Sequence, residues 1–369
     1  MVAGIGLAPA ALGLARTSEP GKGRVPDASR RSFATDVRTA ASGVKRAHRS
    51  SVAAHRALLR RLAGAKIMVP MSGTFPDRWL LTHVRDGEIG GVIIFAENVS
   101  SHLHAAVAAL QRAASSRGGH PLLIATDQEG GTVKRLPHAP PEEPASEMTP
   151  AIAYREGLAA TRALKARGVN TDLAPVADVE HPGSFLGTRS FSGNPTRVAE
   201  DACRFAAGLE AGGVNATFKH FPGLGAALTS TDEAVVRIDL SEPQLLRDLA
   251  AYRRCSPAMV MVSSAIYPAL DRSEQPAVFS SKIVTGLLRD RLHFDGVTMS
   301  DTLNAPAASV SNAAVRATNA GVDVLLYTGE EHEATLAMRQ ILRGLAHGEL
   351  SQRTLEGSDA PIWRIASGR

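Results

Sequence analysis

Aromatic residues are scarce in this sequence, making up 4% of its 369 positions. A long polysaccharide cleft paved with stacking rings is therefore not expected. Cysteine is rarer still. Cys203 and Cys255 are the only two, too few for a disulfide scaffold or a thiolate metal site. Each falls in or at the end of an amphipathic segment, and the expectation is a buried pair of free thiols rather than a disulfide. No run approaches the roughly 20 consecutive apolar residues that span a bilayer. Neither G-x-G-x-x-G nor a P-loop follows an early apolar run, which argues against a doubly wound nucleotide-binding sheet. There is no G-x-S-x-G elbow, and the His-Leu-His at 102–104 lacks partners at ligand spacing. No metal or cofactor is expected.

What the chain does have is 44% apolar residues and 21% charged ones, the balance of a globular protein with ample core. Its excess of positive charge is local. Residues 1–65 hold 12 Lys and Arg against 3 Asp and Glu, leaving 29 against 33 in the rest of the chain. The basic pI thus belongs to the N-terminal segment, and no nucleic-acid footprint follows from it. The start, "MVAGIGLAPAALGLA", has the length and small-residue end of a secretory apolar region but no basic stretch before it. A leader with a flexible linker and a plain Ala-rich tail both fit residues 1–64. Export or cell-envelope association goes with the first reading and a cytoplasmic location with the second.

From Ala65 onward, short apolar runs alternate with longer amphipathic segments. The runs lie at 65–70, 91–96, 122–127, 171–178, 216–221, 258–265, 296–301 and 323–329. Each is brief and unalternating, as strands buried on both faces of a parallel sheet should be. Eight such strands in β–α alternation predict one (β/α)8 TIM-type barrel over residues 65–369. Barrel active sites lie at the C-terminal strand ends, and here those ends are polar: Asp127, Asp178, Lys219 with His220, Ser263 with Ser264, and Asp301.

Each constellation carries a functional and a plainer reading. "ATDQEGGTVKRLP" offers Asp127 to ligand hydroxyls, or else it is a turn whose Asp127 and Glu129 are caps or ion-pair partners of Lys134 or Arg135. In "GTRSFSGNP", Arg189 is either a fork for substrate oxygens or a surface residue before a helix capped by Asn194. Lys219 and His220 either grip a polar ligand or include a plain core histidine; because they are adjacent on a strand, only one enters the barrel unless the strand twists or bulges. Asp301, after "GVTM", is either a nucleophile for an electrophilic carbon or the cap of the next helix. The connections after the last two strands, "SDTLNAPA" and "YTGEEHE", hold one glycine between them, which argues against a phosphate-binding barrel.

Taken in order, "IATDQEGGTVKRL", "LAPVADV", "GTRSFSGNP", "KHFPGLG", "MVSSAIYPALD" and "FDGVTMSDTL" give a chain that resembles glycoside hydrolase family 3. It is most similar to that family's single-barrel β-N-acetylglucosaminidases. The resemblance implies retaining hydrolysis of a β-glycoside through a covalent ester on Asp301. It also implies that Asp127, Arg189, Lys219 and His220 hold the hydroxyls of a small carbohydrate substrate, with Arg135 close by. β-Glucosides and β-xylosides remain open alternatives for the sugar.

The sequence departs from the family in one loop. After Lys-His-Phe-Pro-Gly the single-barrel enzymes carry a further histidine and then an Asp-x-His dyad, whose histidine is the acid/base. Here Leu224 stands for the first histidine, Ser230 for the dyad aspartate and Asp232 for the dyad histidine. Asp232 or Glu233 becomes the expected acid/base, its pKa raised when the loop closes. The alternative is a sugar-binding barrel that has lost its proton donor. About 40 residues follow the last candidate strand, room for two helices, so an acid/base from a second domain in cis is not expected, and a partner chain is the other source besides Asp232 and Glu233.

Overall fold

A computed structural model describes residues 48–368; the leader-like start and most of the basic segment lie outside the described residues. The chain divides into two compact units, Met1–His55 and Arg56–Arg369. In the first, the described residues 48–55 are helical.

The second unit is the predicted barrel. Its strands are β1 (Ile67–Pro70), β2 (Gly91–Ile93), β3 (Leu123–Thr126), β6 (Thr171–Asp172), β7 (Asn215–Phe221), β8 (Met259–Val262), β9 (Val297–Ser300) and β10 (Leu325–Leu326). A small hairpin, β4 (Gln128–Gly130) with β5 (Val133–Lys134), follows β3 and pairs only with itself. The order β10-β1-β2-β3-β6-β7-β8-β9 is parallel throughout. A parallel bridge between Met299 and Val324 brings β9 to β10 and closes the ring. Seven of the eight strands fall inside the expected apolar runs, and β7 begins one residue early.

The strands are buried on both faces because two cores share them. Met68, Ile93, Leu123, Met259, Met261 and Met299 fill the barrel interior. The opposite faces, with Ile67, Val69, Ile124, Phe218 and Val260, pack on the surrounding helices. The last helix, Gln352–Ala366, sends Ile362 and Ala366 into the interior core. It is fastened there by buried Lys66, whose Nζ donates to Ser358 Oγ and to the Val322 carbonyl at 2.8 Å each. One end of the barrel is thereby packed with side chains, and the opposite end remains for a site.

Helix Pro195–Ala211 illustrates how local sequence sets this packing. Asn194 accepts from the N–H groups of Thr196 and Arg197, and Pro195 starts the first turn. The helix then lies close against Pro150–Ala166 because Gly157 and Gly208 present no side chain. A Cβ on Gly157 would sit 2.3 Å from the Phe205 carbonyl oxygen.

The expectation of free thiols is overturned. Cys203, in this helix, is disulfide-bonded to Cys255, just beyond helix Ala250–Arg254, with the two Cα atoms 6.0 Å apart. The pairing depends on two helices meeting across 52 residues of sequence, which neither composition nor periodicity reports. No helix among the described residues is long and apolar enough to cross a membrane.

Candidate active site

The C-terminal strand ends open into a cavity of about 400 Å³ lined by Asp127, Glu129, Arg135, Arg189, Lys219, His220, Asp232 and Asp301. Ile93, Phe95, Leu173, Met261 and Leu326 form its apolar parts. All seven residues predicted for the site from sequence line this one cavity.

The cavity wall is built around a buried ion cluster. Asp127 leaves the end of β3, and the β4–β5 hairpin then turns Glu129 back beneath it. Gly130 and Gly131 make that turn at φ of 102° and 53°, a region that favours glycine. Glu129 accepts Arg189 in a bidentate fork, Nε and Nη2 each at 2.8 Å. The same carboxylate receives Lys219 Nζ at 2.7 Å, and Lys219 also reaches Asp127 at 2.8 Å. Arg135 approaches Asp127 at 3.5 Å. Burial by itself would raise the Glu129 pKa, but the charges of Lys219 and Arg189 override it and hold the group at about 2. Burial likewise works against the Lys219 ammonium, whose pKa is nonetheless raised by Asp127 and Glu129. Arg189 is thus no surface residue, and Lys134, a suggested partner for the acids, instead pairs with Glu142 at 2.7 Å.

Behind the cluster lies Asp172, which has no solvent exposure. It accepts from the Gln128 N–H at 2.9 Å, and burial pushes its carboxyl well above the usual range. Gln128 in turn donates to the carbonyls of Leu136, Ala139 and Pro140, fixing the chain that carries Arg135.

Lys219 and His220 both reach the cavity because the β7–β8 register shifts between Phe218 and Phe221. Asp178, fully buried, accepts from the His220 ring Nδ1 at 2.8 Å. Its other oxygen takes the backbone N–H groups of His220 and Leu224. This leaves the ring Nε2 for a ligand. Leu224, where the resemblance would place a histidine, is a core residue with 1% exposure. Ser263 and Ser264, although at a strand end, do not line the cavity.

Asp301 sits one residue past β9, its own N–H bonded to the Val262 carbonyl of β8. One carboxylate oxygen accepts the Thr302 N–H at 2.8 Å and the other the Thr231 hydroxyl at 3.2 Å. It caps no helix, since the next one begins at Ala313. The departing loop brings Asp232 into the cavity and leaves Glu233 outside it. The Glu233 carboxylate instead accepts the Thr229 hydroxyl at 2.9 Å and is exposed. The Asp232 carboxyl pKa is raised, first by the surrounding protein and then by the charge of Asp301, against the opposing pull of His220. Among the described residues no cluster of His, Cys, Asp and Glu has the form of a metal site. Sequence reasoning left Glu129, Asp178 and Thr231 without the roles they have here. Glu129 and Asp178 stood within quoted motifs, but their partners lie 42 to 90 residues away.

Comparison with known proteins gives this geometry a lineage. Residues 73–365 match the family model described as "Glycosyl hydrolase family 3 N terminal domain". A relative from Arthroderma benhamiae, described as an uncharacterized secreted glycosyl hydrolase, is 36% identical over 326 residues, covering 83% of this chain and 92% of its own. The β-hexosaminidase of Pseudomonas aeruginosa is 36% identical over 295 residues, 75% of this chain and 86% of that one. Among solved structures, the β-N-acetylhexosaminidase of Beutenbergia cavernae superposes with a TM-score of 0.75 at 28% identity, over 84% of this chain and 98% of that one. A family 3 β-N-acetylglucosaminidase from a Paenibacillus species gives 0.80, also at 28% identity, over 84% of this chain and 62% of that one. Barrel, motifs and kinship agree: the chain belongs to glycoside hydrolase family 3.

Proposed function

We propose that this chain hydrolyses terminal β-linked N-acetylhexosaminides with retention of configuration, Asp301 acting as nucleophile and Asp232 as acid/base. One observation carries the reading. Two carboxyl groups share a small cavity, one braced by a backbone N–H and a hydroxyl, the other with its pKa raised. That division is what a double displacement requires of its nucleophile and its acid. In the first step an Asp301 oxygen bonds to the anomeric carbon while the Asp232 proton passes to the departing glycosidic oxygen. In the second, the Asp232 carboxylate takes a proton from water as the water oxygen displaces Asp301. Both carboxyls return to their starting states, and no metal or organic cofactor enters either step.

Asp127, Arg135, Arg189, Lys219 and His220 supply the donors and acceptors for the hydroxyls of the sugar. A cavity of about 400 Å³ suits one terminal ring rather than a polymer. Preference for the N-acetylhexosamine ring follows from relatives named for that activity, and fragments of cell-wall origin are the substrates this reading favours. Residues 56–369 form its catalytic part, residues 56–65 being helical with Leu62 and Ala63 buried in the core, and the segment before residue 48 is a leader and linker. The Cys203–Cys255 disulfide supports export, because such bonds persist in oxidising compartments, as does kinship to a protein described as secreted.

The test is covalent trapping with fluorinated β-glycosyl donors of N-acetylglucosamine, glucose and xylose, each bearing an activated leaving group. The expected result is a sugar ester on the Asp301 peptide, formed fastest with the N-acetylglucosamine donor. An unlabelled protein that still binds free sugar would overturn the reading in favour of a non-catalytic sugar-binding barrel.

A further inference from the structure

The loop that carries Asp232 is fastened at both stems by backbone hydrogen bonds. On the near side the carbonyls of Gly225 and Ala227 accept from His181 and Phe185. On the far side Ile266 donates to the Val236 carbonyl and its own carbonyl accepts from Ile238. Between the stems lies the tip, residues 228–235, with Leu228 and Val235 exposed to 75% and 61%. Most hydrogen bonds of this tip are internal. Ser230 Oγ accepts the Asp232 N–H, the Ser230 carbonyl accepts Glu233 and Ala234, and Thr229 bonds Glu233. Among the described residues one hydrogen bond joins the tip to the rest of the protein, and it runs from the Thr231 hydroxyl to Asp301 at 3.2 Å.

We propose that Thr231 is a latch that positions the acid/base by holding its loop to the nucleophile itself. The proposal rests on the roles given above to Asp301 and Asp232. Thr231 is 2% exposed and faces inward, whereas Asp232, the next residue of the same tight turn, remains reachable by solvent. A single peptide unit separates them, so the Thr231–Asp301 bond fixes how far the Asp232 carboxyl stands from the nucleophile. Retaining chemistry needs that spacing held at about 5–5.5 Å. The latch also answers to the reaction. An ionised carboxylate is a stronger acceptor than an ester oxygen, so ester formation on Asp301 weakens the hold and frees the tip for the leaving group to depart and water to enter.

Thr231→Val keeps the shape of the buried side chain and deletes the hydroxyl. Hydrogen bonds to charged groups have a strength equivalent to about tenfold to a hundredfold in rate. The variant is therefore expected to lose about that factor in kcat/KM on a donor with a poor leaving group, and less on an activated one. The groups facing Asp232 are Asp301 beyond β9, His220 on β7, Asp127 beyond β3 and the Ser230 hydroxyl. Asp301 is the strongest among the charges that raise Asp232. With the tip unlatched, the alkaline limb of the pH profile should move to lower pH, a change that a merely structural role would not produce.

Thr231→Ser should restore both the rate and the limb. Superimposable pH profiles and leaving-group dependence for Thr231→Val and an active wild type would overturn the latch alone. So would Thr231→Ser being as impaired as Thr231→Val, since a hydroxyl at this position would then not be enough to hold the loop. A wild type that fails to turn over any of the donors would overturn the catalytic reading and the latch with it.

Discussion

Replacing Asp232 by Ala separates the two chemical roles, because only one of them depends on the leaving group. The cavity presents Asp232 as the sole carboxyl on the loop tip, Glu233 being turned out to Thr229. On the proposed roles its loss removes proton donation to the glycosidic oxygen and leaves Asp301 with the backbone N–H of Thr302 and the Thr231 hydroxyl. General acid assistance is worth about 10²–10⁴-fold, or about 3–5 kcal/mol of barrier at 1.36 kcal/mol per factor of ten. A phenyl-type glycoside should therefore lose that factor in kcat/KM. A dinitrophenyl glycoside, whose leaving group needs little protonation, should lose less than about tenfold. Deglycosylation still lacks its base, so with the activated donor kcat and KM should fall together as the ester accumulates. Added azide, which needs no deprotonation, should restore kcat and yield a glycosyl azide of retained configuration. The assay is steady-state kinetics on both donors with and without azide, with Glu233→Ala as the control expected to behave as wild type. Equal losses on both donors, or a Glu233→Ala defect that azide repairs, would refute the assignment of Asp232.

Three further outcomes follow from the buried groups. The ordinary pKa of Glu129 is 4.5 and the folded value about 2, so the unfolded chain binds the extra proton between these values. Its stabilisation, of order 3 kcal/mol, is complete above pH 4.5 and lost as pH falls toward 2; Glu129→Gln should flatten that part of the unfolding free-energy curve relative to wild type. Lys66 is buried with its pKa lowered to about 8 from 10.5, burial being the main cause. Stability should therefore rise between pH 8 and 10.5, by an amount of order 3 kcal/mol. The difference in urea unfolding between wild type and Lys66→Met across that range measures it, and a pH-independent difference would refute it. Reducing the Cys203–Cys255 bond releases a 52-residue separation, for which loop-closure entropy gives about 4 kcal/mol. Calorimetry should show a lower Tm in reductant for wild type, and no further drop for the Cys203→Ser, Cys255→Ser double variant.

The barrel was legible in the sequence because its strands obey a local rule. Runs such as "GVIIFA" and "LLIATD" are short and uniformly apolar since both of their faces are buried, and burial is a property each segment carries in its own composition. The residues that line the candidate site were legible for a related reason, since strand ends place Asp127, Lys219, His220 and Asp301 at one rim whatever the connections do. What the tertiary structure alone decided were relations between segments remote in sequence. The register shift in β7 sends both Lys219 and His220 into the cavity. Glu129 became the hub of the ion cluster once the hairpin set it between Arg189 and Lys219. The loop turned Asp232 inward and Glu233 outward through the hydroxyls of Thr229, Ser230 and Thr231, a choice between neighbours that no pattern in a single chain encodes. The disulfide was missed for the same physical reason, because two helices must first pack before their thiols can meet.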